Sequence, residues 1–72
     1  MPDIPVGSAD RLLRQAGASR LSFEASKELR DVLEDLAIII SKKAIELVNH
    51  RGQQTITKED VRLAYNMTLK PS

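Results

Sequence analysis

A long segment without proline or glycine, residues 22–50, limits what this chain can fold into more than any other feature. As a helix, it would run for roughly 29 residues and ~43 Å, at about 1.5 Å per residue. A compact globule of 72 residues would be only about 29 Å across. The sequence therefore predicts a helix that extends beyond any globule that one copy of the chain could form.

This predicted helix carries apolar side chains along one face and nearly all round its centre. They recur at three- and four-residue spacing, which is typical of a buried helix face. Two short flanking helices cannot cover so long a surface, so we predict an obligate dimer in which two copies of the helix cross at their centres. The predicted dimer core consists of Leu29, Leu33, Leu36, Ile39 and Ile40.

The composition removes the other common ways to stabilise so short a chain. It has no cysteine and a single histidine, so disulfides and thiolate ligands are excluded and we expect no metal ion or cofactor. Eleven lysines and arginines against ten aspartates and glutamates give a net charge of +1, so a basic surface must come from the arrangement of charges. The aromatic residues are Phe23 and Tyr65, which nearly excludes base-stacking platforms for single strands.

Membrane proteins and enzymes are two further classes that the sequence disfavours. No apolar run is long enough to cross a bilayer, and the N-terminus carries an acid where a signal peptide needs basic residues. The only histidine, His50, lies at a predicted helix end, and no glycine-rich elbow or phosphate loop surrounds a nucleophile. We expect a cytoplasmic protein that is not an enzyme and takes no small-molecule substrate.

A short helix is predicted before the long one. Residues 1–7 contain two prolines and a glycine and predict an extended N-terminal arm. Ser8 is expected to cap the short helix with its hydroxyl group, and Gly17 to end it in a left-handed conformation. Ser22 is expected to cap the long helix.

A third helix is predicted after Gly52 and a short extended loop. Thr57, followed three residues later by Asp60, forms a capping-box pattern that marks the start of this helix. The sequence therefore predicts an all-α protein with one domain, residues 8–69, and a short C-terminal end, residues 70–72.

The order of these elements and the residues within them resemble the histone fold. The segments that carry the resemblance are DRLLRQAGASRLS from residue 10, Leu33-Glu34-Asp35, KKAIELVNHRG from residue 42 and TITKEDVRLA from residue 55. Over residues 8–67 the chain resembles the tailless prokaryotic histones, either archaeal or the related bacterial proteins. The resemblance implies a handshake homodimer that binds double-stranded DNA without sequence preference.

The resemblance also implies which residues contact DNA. In the family, loop 1 of one subunit lies beside loop 2 of the other, at each end of the dimer. Arg20 matches the loop 1 arginine that enters the minor groove, and Thr55 matches the loop 2 threonine beside it. Arg11 and Arg14 match positions near the central phosphates, although Arg14 also has Asp10 one helical turn before it.

Loop 2 departs from the family pattern, which usually reads Gly-Arg-Lys-Thr where this chain has Gly-Gln-Gln-Thr at residues 52–55. Gln54, still a candidate DNA contact, lacks the charge of the family's lysine. Gln53 replaces the arginine that in the family pairs with the aspartate matching Asp60. Arg51 is expected to replace part of the lost DNA-facing charge. These departures favour bending or coating of DNA over tight wrapping.

A contact between dimers is also implied by the resemblance. Leu47, His50 and Asp60 match positions in the family's four-helix contact between dimers, where a histidine and an aspartate pair across the interface. Tetramers or longer stacks are therefore expected. In the alternative interpretation, His50 is only a cation that interacts favourably with the C-terminal dipole of its helix.

Two functions from different classes remain open at this point. The first is an architectural, nucleoid-associated histone that coats, bends or compacts chromosomal DNA. The second is a histone-fold module for dimerisation and protein interaction with little DNA binding of its own, which the near-neutral net charge of +1 supports. Arg20, Thr55 and the first-helix arginines favour the first, because pure dimerisation does not require them.

Overall fold

Three helices make up the fold in the computed structural model, which describes residues 4–69. They are α1 (Val6–Gln15), α2 (Phe23–His50) and α3 (Lys58–Thr68), and this described part of the chain contains no strand. The short–long–short order confirms the predicted all-α histone fold. Most of the predicted N-terminal arm before Ile4, and the C-terminal end from residue 70, lie outside the described residues.

The predicted long helix is confirmed. α2 runs without interruption for 28 residues, or about 42 Å. It begins where expected, because the Ser22 hydroxyl accepts a hydrogen bond of 3.1 Å from the Ala25 N–H. None of the described helices is both long and apolar enough to cross a membrane.

The predicted start of the first helix is wrong. Pro5, not Ser8, occupies the N-cap with φ −64° and ψ 142°, and its side chain makes no capping hydrogen bond. The Ser8 N–H donates instead to the Pro5 carbonyl at 3.0 Å. Proline fixes a helix-compatible φ and has no N–H that needs a partner, so the helix can begin directly after it. Val6 and Gly7 therefore belong to α1 rather than to an extended arm.

Both helix ends that lead into a loop are closed by a glycine with positive φ. After α1, Gly17 has φ 116°, its N–H donates to the Arg14 carbonyl, and the Ala18 N–H donates to the Leu13 carbonyl. This is a Schellman motif, in which a side chain at the left-handed position would be strained. Gly52 ends α2 in the same way with φ 71°. The two glycines thus define the start of loop 1 (residues 16–22) and loop 2 (residues 51–57).

The chain divides into two compact units, at a boundary that falls within α2. The first unit, described over residues 4–35, holds α1 and the beginning of α2, with Ala9 and Ser26 buried. The second, described over residues 36–69, holds the rest of α2 and α3, with Ala44, Val48 and Ala64 as its buried apolar residues.

Neither unit encloses a core of large side chains. Within residues 4–69 no large side chain is fully buried, and Ile38 and Ile39 at the centre of α2 are 46% and 48% exposed. The other predicted dimer-core residues, Leu29, Leu33, Leu36 and Ile40, are only half-buried. One chain alone therefore leaves in water the apolar surface that the sequence assigned to a dimer core.

Candidate nucleic-acid interface

Arg20 lies in loop 1, between the Gly17 turn and the Ser22 cap, so both ends of its segment are held by backbone hydrogen bonds. Its side chain is exposed, and no hydrogen bond or ion pair from residues 4–69 occupies its guanidinium group. Loop 1 thus presents an uncompensated cation on a constrained backbone, which is suited to an external anion.

The two arginines of α1 have different surroundings. Arg11 is exposed and has no ion-pair partner among the described residues. The Arg14 Nε atom lies 3.0 Å from the Asp10 Oδ2 atom, which confirms the i,i+4 pair that the spacing indicated. Only Arg11 therefore offers an unpaired charge on this helix.

Asp10 has a second partner that the sequence did not indicate. The Ser26 hydroxyl donates to the Asp10 Oδ1 atom at 3.3 Å, and Ser26 is only 2% exposed. These residues are 16 positions apart on different helices, so no periodicity within one helix could have revealed the contact. Asp10 is thereby attached to both α1 and α2.

Loop 2 presents polar but neutral side chains. Gln53, Gln54 and Thr55 are all exposed, and the loop has no helical or strand structure there. Gln54 and Thr55 are thus accessible at the positions where the family resemblance implies DNA contact. The loop contributes hydrogen-bonding groups but no free charge at these positions.

Arg51 has an intramolecular partner. Its Nη1 and Nη2 atoms lie 2.5 and 3.1 Å from the Asp60 Oδ1 and Oδ2 atoms. A bidentate pair of this kind combines charge with fixed geometry. The pairing that Gln53 cannot make is thus made from two residues earlier, and the lost DNA-facing charge of loop 2 is not simply replaced. Arg51 becomes the weakest of the predicted DNA contacts.

The Asp60 carboxylate is the centre of a cluster that fastens loop 2 to α3. It also accepts hydrogen bonds from the Thr57 N–H at 2.9 Å and the Thr57 hydroxyl at 3.0 Å, and the predicted capping box is confirmed. The hydrogen bonds from Arg51, followed by that from the Thr57 N–H, hold the pKa of Asp60 well below its usual range. The hydrogen bond to Asp60 in turn raises the pKa of Arg51.

The predicted contact between dimers meets a mixed environment. His50, the last residue of α2, is exposed, and Leu47 is half-buried one turn earlier. Together with Lys43, they line a shallow depression on the second unit. The Asp60 side chain is 4% exposed and occupied by Arg51. Leu47 and His50 are accessible to another dimer, whereas Asp60 already has its partners.

Other kinds of site find no support in the described residues. Within residues 4–69, no group of three His, Asp or Glu side chains could hold a metal ion. An open apolar groove in the second unit is lined by Ile40, Val61 and Tyr65 with two cations, Lys58 and Arg62, and the Arg62 guanidinium lies 5.5 Å from the centre of the Tyr65 ring. Such a surface is suited to packing rather than to chemistry.

Comparison with known proteins gives a consistent result. The family model for the histone-like transcription factors (CBF/NF-Y) and archaeal histones matches residues 2–65. The archaeal histone HAN1 of Thermococcus zilligii is 48% identical over 64 residues, which cover 89% of this chain and 96% of the relative. The probable archaeal histone 3 of Methanocaldococcus jannaschii is 38% identical over the same shares of the two chains. Histone H4 of Dictyostelium discoideum is 33% identical over 51 residues, which cover 71% of this chain and 47% of that histone.

Proposed function

The chain belongs to the family of histone-like transcription factors (CBF/NF-Y) and archaeal histones, and we propose that it acts as a homodimer that coats or bends duplex DNA. Membership makes it a DNA-binding architectural protein with a histone fold. The proposal adds the identity of the two protomers, the residues that contact DNA and the effect on the duplex.

The exposed centre of α2 supports dimerisation. Ile38 and Ile39 lie nearly half in water in one chain, and burying apolar surface is the largest favourable contribution to association of this kind. A second copy supplies the same apolar face at the same point of the helix. In the proposed dimer, the two copies of α2 cross at these isoleucines.

The unpaired guanidinium of Arg20 is the observation that carries the DNA proposal. A surface arginine with no partner among the described residues, on a loop fixed at Gly17 and Ser22, is positioned without further ordering of the backbone. Arginine is favoured in narrow minor grooves, whose negative potential depends on DNA shape rather than on individual bases. Loop 1 of one protomer, together with Thr55 and Gln54 of its partner's loop 2, would form each end of the DNA surface.

The centre of the DNA surface is proposed to be formed by the two copies of α1. Arg11 is exposed and unpaired within residues 4–69, so it can neutralise a phosphate without first breaking an ion pair. Contacts to phosphate fix the position of the protein but carry no sequence information. The protein is therefore expected to bind duplexes of different sequence with similar affinity.

Bending or coating is the proposed effect on DNA, rather than tight wrapping. Loop 2 contributes neutral glutamines at residues 53 and 54, and its one arginine, Arg51, is paired with Asp60. A dimer thus meets the duplex with few free cations at its ends. Wrapping requires bending energy to be offset by many such contacts.

The proposed location is the chromosome, and we assign the protein no catalytic activity, cofactor or small-molecule substrate. Higher assembly is proposed to use Leu47 and His50, which the second unit leaves accessible. The alternative, a dimerisation module with little DNA binding of its own, is not favoured, because Arg20 and Arg11 are exposed and have no ion-pair partner in the described part of the chain.

Fluorescence anisotropy with two random-sequence duplexes of equal length tests the proposal. We expect both to bind with Kd values within about threefold of each other, since phosphate contacts do not depend on sequence. No binding at about 50 mM salt would refute DNA binding by the homodimer. A large preference for one duplex would refute the proposed mode of contact.

A further inference from the structure

Asp10 holds Arg14 at the position where DNA binding would need the arginine to be free. The Asp10 carboxylate accepts from the Arg14 Nε atom at 3.0 Å through one oxygen and from the buried Ser26 hydroxyl at 3.3 Å through the other. Ser26 belongs to α2, so the carboxylate is fixed from outside its own helix. Arg11, one residue further along α1, has no such partner among the described residues.

We propose that Asp10 is a built-in counter-ion that withholds Arg14 from DNA and lowers the affinity of the α1 surface for phosphate. The proposal rests on the function proposed above and identifies a residue that tunes it. In each protomer, it leaves Arg11 as the active cation of α1 and makes Arg14 a reserve that a change at Asp10 would release.

The physical argument is a competition between two anions for one guanidinium group. The Arg14 and Asp10 side chains are 54% and 38% exposed, so a phosphate could approach Arg14, but it would have to displace a carboxylate already in contact. Ser26 hinders that displacement, because its hydroxyl keeps Asp10 from turning away. The Asp10 charge also repels a phosphate that approaches Arg11, since like charges at this separation oppose binding.

A double-mutant cycle with Asp10→Asn, Arg14→Ala and the combined variant tests the proposal. The asparagine oxygen can still accept the Ser26 hydrogen bond, so the substitution removes charge with little change in shape. Each variant is titrated with a random-sequence duplex by fluorescence anisotropy, from about 50 to 200 mM salt. Circular dichroism melting verifies folding, and Asp10→Ser serves as a second charge-removing variant.

Glu46→Gln is the matched control. It removes the same charge and also breaks a surface pair, since the Glu46 Oε1 atom lies 3.3 Å from the Lys43 Nζ atom. That pair lies on α2, away from loop 1 and α1 in sequence. Any gain in affinity from net charge alone therefore appears in both Glu46→Gln and Asp10→Asn.

We expect Asp10→Asn to bind about threefold or more tightly than Glu46→Gln, with a log–log salt slope steeper by about 1.8 per dimer, since one arginine per protomer becomes available to phosphate. Arg14→Ala should change binding by less than about twofold in the wild-type background and abolish the gain in the Asp10→Asn background.

Equal binding by Asp10→Asn and Glu46→Gln would overturn the proposal, as would an equal loss from Arg14→Ala in both backgrounds. If the wild type binds and Arg20→Ala weakens it, either result refutes only the role of Asp10. If the wild type does not bind, the proposed function itself fails.

Discussion

Arg51 and Asp60 form a two-point ion pair that joins the end of α2 to the start of α3, with N–O distances of 2.5 and 3.1 Å. The pair closes loop 2 from both sides, since Asp60 also accepts hydrogen bonds from Thr57. Removing one partner leaves the other without its counter-charge, and Asp60 is buried.

The first prediction is that Arg51→Ala lowers the melting temperature by several degrees, because it leaves the buried Asp60 carboxylate without its guanidinium partner. Lys43→Ala is the control, since it breaks an ion pair whose Glu46 partner is 69% exposed, and exposed pairs contribute little. Thermal melts by circular dichroism give both values. Equal effects of the two substitutions would contradict a stabilising role for the Arg51–Asp60 pair.

The second prediction concerns acid. The pKa of Asp60 is lowered in the folded state, from about 3.9 in an unfolded chain. Its contribution to stability is therefore fully present above the unfolded pKa and is lost as the pH falls through that value towards the folded pKa. The difference in melting temperature between wild type and Asp60→Asn should be constant from about pH 7 to 5 and shrink below about pH 4. A difference that stays constant in acid would show that the Asp60 charge contributes nothing.

The third prediction concerns the cap of α3. Thr57→Ala removes a hydroxyl that accepts from the Asp60 N–H at 3.3 Å and donates to the Asp60 carboxylate at 3.0 Å. Loss of a cap of this kind costs about 1 kcal/mol. Thr68→Ala is the matched control, because that hydroxyl only donates to the Ala64 carbonyl, and we expect a change below about 0.5 kcal/mol. Urea unfolding measures both, and a Thr57 effect no larger than the Thr68 effect would contradict the account of the cap.

The N-terminal caps of α2 and α3 could be predicted from the sequence because they depend on residues three positions apart. The same holds for the Gly17 turn, in which a positive φ favours glycine strongly. The start of α1 could not be predicted, because Ser8 and Pro5 are both acceptable near an N-terminus and the choice depends on how the segment packs. The Ile4 N–H donates to the Glu34 Oε2 atom at 2.9 Å, a contact across 30 positions that no local pattern contains.

The candidate site divides in the same way. The positions of Arg20, Gln54 and Thr55 in exposed loops follow from the helix boundaries, which the sequence predicts. The partner of Arg51 does not follow, because the direction of a long side chain depends on the Gly52 turn and the start of α3. The sequence therefore indicates which charges exist more reliably than which charges are free.

The fourth prediction concerns the dimer. If folding requires association, the melting temperature should rise with protein concentration, since mass action favours the associated state. Ile39→Asp should abolish the cooperative transition, because it places a charge in the proposed helix crossing, whereas Lys42→Ala should leave it unchanged. Sedimentation equilibrium gives the mass. A stable, folded monomer for Ile39→Asp would contradict the proposed dimer core.

The fifth prediction concerns assembly beyond the dimer. His50→Ala should reduce tetramers and longer stacks while the dimer persists, because His50 lies at an accessible end of α2, away from its isoleucine centre. Light scattering over a range of concentrations measures the mass distribution. An unchanged distribution would remove His50 from the proposed contact between dimers.

The most direct test of the central claim, that exposed and unpaired arginines bind duplex DNA, is the salt dependence of binding for wild type, Arg20→Ala and the control Lys42→Ala. Two protomers that each offer Arg11 and Arg20 predict a log–log slope of about −3.6, because each neutralised phosphate contributes about −0.9. Arg20→Ala should bind more weakly with a slope flatter by about 1.8, and Lys42→Ala should match the wild type. A slope near zero, or equal effects of Arg20→Ala and Lys42→Ala, would contradict the claim.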